Sequence, residues 1–125
     1  MNTNGRFLYK SRYGMDEYGW QIKSYFVDMY RDGRLEIAVK RILEKEGYSV
    51  NTVQCRFPEE NSYDDCDHFE GVEFEMGRFD DDSEIRVSEE ECLAFVKEAI
   101  SLYESRHPDR KGFADADLAK STLGR

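Results

Sequence analysis

The hydrophobic period of this chain changes twice, from helical to two-fold and back to helical, and that change limits the fold more than any other feature. Ile22, Tyr25, Phe26, Met29 and Tyr30 fall at i, i+3, i+4, i+7 and i+8, one continuous stripe on a helix of 3.6 residues per turn. Asp32-Gly33 breaks the stripe, because glycine takes the left-handed conformation that ends helices. Leu35, Ala38, Val39, Ile42 and Leu43 then mark one side of a second helix, with Gly47 expected as its stop. Two short amphipathic helices joined by a tight turn predict an αα-hairpin.

From Val53 the period is two. Val53, Cys55 and Phe57 alternate with Gln54 and Arg56 until Pro58 closes the run. Val72, Phe74 and Met76 alternate with Glu73 and Glu75; after a turn over Gly77 to Ser83, Ile85 and Val87 make a short returning strand. Three such strands most simply form an antiparallel meander with one wet face. Ser88 and Glu91 make a capping box, each side chain satisfying the other's free backbone amide. Cys92, Phe95, Val96, Ala99, Leu102 and Tyr103 carry an apolar stripe onward to Arg106, and Pro108 ends it. The expectation is an α+β fold: an N-terminal αα-hairpin, a small three-stranded antiparallel sheet and a C-terminal packing helix. It spans 20–108, after an irregular segment 1–19 in which Phe7 to Tyr9 suit a short strand. A polar tail, 109–125, has room for a short helix between Ala114 and Lys120. At 125 residues, without repeats or linkers, this is one domain with a modest core that needs no disulfide or metal to fold.

Charge narrows the function. Acids outnumber Lys and Arg 27 to 18, for a net charge of −9. Residues 57–91 hold 15 acids against Arg78 and Arg86, so this third of the chain carries −13 and the remainder +4. Such a balance argues against nucleic acid and anionic membranes, which both attract positive potential. It points instead to a protein partner with a basic face. Concentrated like charge costs stability, so the cluster asks for a reason. A surface that mimics a phosphate backbone supplies one; two loops, a wet sheet face and a helix N-terminus that simply tolerate acids supply the other. The candidate contact residues are Glu59, Glu60, Tyr63, Asp64, Asp65, Asp67, Phe69, Glu70, Glu73, Glu75, Phe79, Asp80, Asp81 and Asp82, the aromatics as packed anchors among steering charges.

Enzymatic chemistry finds little support. Cys66-Asp67-His68 with Cys55, Cys92 and His107 lacks the paired spacing of structural zinc. Asp80-Asp81-Asp82-Ser83-Glu84 lacks the alternation and central glycine of a calcium loop. His68 lies among acids, a poor setting for a general base, and His107 at a helix end suits capping of carbonyls. No phosphate loop, nucleophile elbow or zinc-protease motif is present. Neither a catalytic residue, a metal nor a cofactor is expected. The odd, unpaired set of three cysteines fits a reducing compartment, and the absence of a signal-like N-terminus or an apolar span fits the cytoplasm.

Several runs resemble a known family. Tyr25-Phe-Val-Asp-Met-Tyr-Arg-Asp-Gly-Arg-Leu-Glu36, Gly47-Tyr-Ser-Val50, Arg56-Phe-Pro-Glu-Glu60, Phe69-Glu-Gly-Val-Glu-Phe74 and the stretch from Val87-Ser-Glu-Glu to His107-Pro108 resemble the immunity proteins of contact-dependent growth inhibition systems, in particular those paired with ribonuclease toxins. The resemblance covers Trp20 to Asp109. It implies one-to-one binding of a cognate toxin nuclease domain, blocking its RNA-binding or active-site surface, with no cofactor. An acidic adaptor or chaperone for another basic client is the alternative, and a small metal-dependent hydrolase the second. A toxin encoded next door separates the first two; abolition of function by one Asp or His substitution would mark the third.

Overall fold

The computed structural model describes residues 17–77 and 83–125. Phe7 to Tyr9, Phe79 and Asp80 to Asp82 lie outside the described residues. Helix α1 (Trp20–Arg31) and helix α2 (Leu35–Leu43) form the expected hairpin. Gly33 closes α1 at φ 73, its amide donating to the Tyr30 carbonyl while that of Arg34 reaches Met29. These are the paired bonds of a Schellman cap. Helix α2 closes the same way, with Lys45 at φ 61 donating to Ile42 and Glu46 donating to Arg41. Gly47 is therefore not the stop. A Cβ there would stand 2.6 Å from the Cys55 carbonyl oxygen, so glycine is present for close approach to the next strand.

Among the described residues the sheet has four antiparallel strands in the order β1 (Tyr48–Val50), β2 (Val53–Arg56), β3 (Val72–Glu75) and β4 (Glu84–Val87). The expectation of three strands missed β1. Its three residues are too few to show a period, and it is fixed by a two-residue turn, Asn51-Thr52, that pairs Val50 with Val53. Pairing aligns Tyr48, Cys55, Phe74 and Ile85 in one row across the sheet, and Arg56, Glu73 and Arg86 in the next row on the opposite face.

Helix α1 is the hub, in contact with β2, β3, β4, α2 and α3. That explains why it buries Gln21, Ser24 and Val27 as well as its apolar stripe. Tyr25 is fully enclosed, edge-on to Phe26 and Phe74 at 5.3 Å each, and its hydroxyl donates to the Tyr48 carbonyl at 2.7 Å. A buried phenol needs that bond, since an unmet hydroxyl costs about 1–3 kcal/mol.

Helix α3 (Glu89–Arg106) begins at the expected capping box, with the Glu91 amide donating to Ser88 Oγ at 3.0 Å. Its buried stripe is Cys92, Val96, Ala99 and Ile100, with Phe95, Leu102 and Tyr103 half-buried at its margin. At its end the His107 ring meets the Tyr30 hydroxyl at 3.0 Å and lies against Tyr103, instead of capping carbonyls. The polar tail folds back. Helix α4 (Asp115–Lys120) leads to Ser121, whose hydroxyl donates to the Leu43 carbonyl at the end of α2, and to buried Leu123. No helix among the described residues is long and apolar enough to cross a membrane.

Candidate partner-binding surface

Loop 57–71, between β2 and β3, folds across the outer face of the sheet. Long loops without regular structure are uncommon in small domains, and this one has dense internal bonding. The Glu59 amide donates to the Asp67 carbonyl at 2.8 Å, closing the loop on itself. Asp64 caps a single 3-10 turn (Asp65–Asp67) by accepting from the Cys66 amide at 3.0 Å. Ser62 Oγ donates to Asp67 at 2.6 Å, and the His68 ring lies 2.7 Å from the Ser62 carbonyl.

Beneath the loop lies the Arg56–Glu73–Arg86 row. Glu73 is 3% exposed, and each of its oxygens accepts a guanidinium Nε at 2.8 Å, one from Arg56 and one from Arg86. Burial alone would push its carboxyl up, but the two arginine bonds outweigh it and hold Glu73 below the usual carboxylate range. Arg56 also reaches Asp67 at 2.8 Å and the Cys66 carbonyl at 3.2 Å. The bond from Ser62, then that from Arg56, hold the Asp67 carboxyl low. The Phe69 ring faces both guanidinium groups, at 4.8 Å from Arg86 and 5.4 Å from Arg56.

The fourteen sequence candidates therefore divide. Glu59, Glu60, Tyr63, Asp64, Asp65 and Glu70 are exposed on the loop, Tyr63 completely so. Asp67, Phe69 and Glu73 face inward and hold the loop to the sheet. Glu75 is half-buried on the outer face, in register with Glu84. Glu73, Glu75 and Glu84 are close enough to share an ion, yet both Glu73 oxygens already accept arginine donors. Desolvation first, then the neighbouring Glu73 charge, raises the Glu84 carboxyl. Cys55 and Cys92 are buried in the core and Cys66 is exposed on the loop, so the three do not form one ligand set.

Beside the loop, Phe57, Pro58, Tyr63, Glu59, Glu60 and Glu89 line a groove of about 800 Å³. Lys45 stands at its edge, paired with Glu89 at 3.0 Å. Arg56 and Arg86 brace the candidate surface and were passed over in the sequence, Arg56 because it lies one residue before the acidic segment and Arg86 because it reads as a minor offset within it. Their signal was their parity. Both sit on strand positions of the same face as Glu73, where opposite charges pair across strands.

The candidate surface is thus an acidic, largely exposed loop braced on a small α+β domain. The chain matches the family model of CDI immunity proteins, the contact-dependent growth inhibition group, over residues 18–118, and it belongs to that family. The match extends past the stretch of resemblance into α4. A search of curated proteins finds no match.

Proposed function

We propose that this chain acts in the cytoplasm by binding one copy of a cognate ribonuclease toxin domain and covering its RNA-binding or active-site surface. The observation that carries this reading is the arrangement of loop 57–71. Glu59, Glu60, Asp64, Asp65 and Glu70 are exposed around an exposed Tyr63, on a segment tied down from below. A ribonuclease must offer positive potential to its substrate, and an acidic face competes for that potential. Charge of this kind speeds encounter, while a central aromatic supplies the packing that slows release. Phe79 and Asp80 to Asp82 extend the proposed contact along the chain, Glu75 borders it, and Asp67, Phe69 and Glu73 support it. Binding is stoichiometric and needs neither cofactor nor catalytic group.

Titration against the purified toxin domain encoded beside this chain tests the reading, with binding and RNA cleavage followed together. Cleavage should end at one equivalent. Binding without loss of cleavage would reject ribonuclease blockade, and absence of binding would reject the pairing itself.

A further inference from the structure

Arg56 ties the loop to the sheet at several points at once. From the end of β2 it donates to Glu73 on β3, to the Asp67 carboxylate and to the Cys66 carbonyl, with its guanidinium 5.4 Å from the Phe69 ring centre. Asp67 relays that anchorage, since its other carboxylate oxygen accepts from Ser62 and its carbonyl accepts from the Glu59 amide. One guanidinium thus fixes, through one intermediary, the two residues that flank Glu60 and Asn61, namely Glu59 and Ser62, the second of which precedes Tyr63. Arg86 differs. It holds Glu73 from the other side and meets the loop at Phe69.

We infer that Arg56 is a positioning residue for the partner-binding loop, so that removing its positive charge weakens partner binding although it makes the face more acidic. The inference rests on the loop being the contact. Simple electrostatics gives the opposite sign, since deleting a cation from a face that meets a basic partner strengthens attraction. Preorganisation reverses it. A loop freed from Arg56 must be ordered at the moment of binding, and that cost is subtracted from affinity. Lysine cannot replace it, because a point ammonium does not serve three acceptors in fixed directions as the guanidinium fork does.

The test compares Arg56→Gln, Arg56→Lys, Arg86→Gln and the surface control Lys40→Gln, in the full chain. Association and dissociation with the neighbouring toxin domain are measured together with amide hydrogen exchange of residues 59–70 in the free protein. Arg56→Gln should raise the dissociation rate about tenfold without slowing association, and Arg56→Lys should fail to restore it. In both variants the Glu59, Asp67 and His68 amides should exchange faster while those of α1 stay protected. Arg86→Gln should have a smaller effect, and Lys40→Gln, which alters charge alone, should leave dissociation unchanged. Binding by Arg56→Gln as tight as the parent's, or unchanged exchange in the loop, overturns the inference. If the parent chain itself does not bind, the proposed function fails, and the exchange data still decide whether Arg56 orders the loop.

Discussion

Lys45 holds a left-handed backbone at φ 61 to close α2, a position more often given to glycine. That conformation costs a side-chain-bearing residue about 1 kcal/mol. The exposed ion pair of Lys45 with Glu89, at 3.0 Å, returns a few tenths. Lys45→Gly should therefore gain about 0.5 kcal/mol, read as a higher urea midpoint at unchanged slope. A lower midpoint would mean that the ion pair outweighs the backbone strain. Tyr63 is the contrasting residue. Fully exposed, it contributes almost nothing to the fold. Tyr63→Ala should leave the unfolding midpoint within about 0.5 kcal/mol of the parent and weaken toxin binding by about 2 kcal/mol, measured by calorimetry. Equal affinity would remove Tyr63 from the contact.

At the scale of elements, α3 depends on its first turn. The Ser88 hydroxyl accepts from the Glu91 amide, and Glu91 reaches back toward the Ser88 amide at 3.4 Å. Glu91 also accepts from the Tyr18 hydroxyl, and that bond most of all holds its carboxyl low. Ser88→Ala should destabilise the chain by about 1 kcal/mol in chemical denaturation, with no change in toxin affinity. A loss of affinity of similar size would place the start of α3 within the contact. The far end of α3 is tied to α2 by Glu36, which accepts both Nε and Nη2 of Arg110 and the Tyr103 hydroxyl. With Ser121 capping the Leu43 carbonyl, these bonds make the polar C-terminal stretch part of the packed domain.

For the whole molecule, acid should be the weak side. The carboxyls of Asp67, Glu73, Glu36 and Glu91 are all held low, Glu36 chiefly by its Arg110 bond. Between the folded and unfolded values the unfolded chain binds more protons, so falling pH favours unfolding. The stability these groups contribute is complete above the ordinary carboxylate range, about pH 4 to 4.5, and is lost as pH falls through their lowered folded values. Glu84 runs the other way, its raised carboxyl subtracting stability as it ionises. Among the described residues, four lowered carboxyls against one raised predict a Tm that is level near neutrality and drops below about pH 4.5. Melts from pH 3 to 7 followed by circular dichroism check this, and Arg56→Gln should flatten the drop. A Tm indifferent to acid would show that folding leaves the proton affinity of these carboxyls unchanged on balance.

Periodicity, with the Asp32-Gly33 break and the Ser88–Glu91 spacing, determined the αα-hairpin, three of the strands, the capping box and the full apolar side of α2, because each is a local pattern that a sequence displays directly. Composition determined that one third of the chain would be acidic. Tertiary structure decided what local pattern cannot carry. It added β1, a strand too short to show a period, moved the end of α2 from Gly47 to Lys45, and packed a polar tail through buried Ala114, Ser121 and Leu123. It also sorted the acids, turning Asp67 and Glu73 inward onto arginines that are distant in sequence and leaving Glu59, Glu60, Asp64, Asp65 and Glu70 outside. The physical reason is the same throughout. Burial and pairing are set by strand register and by which element covers which face, and those depend on residues that meet only when the chain has folded.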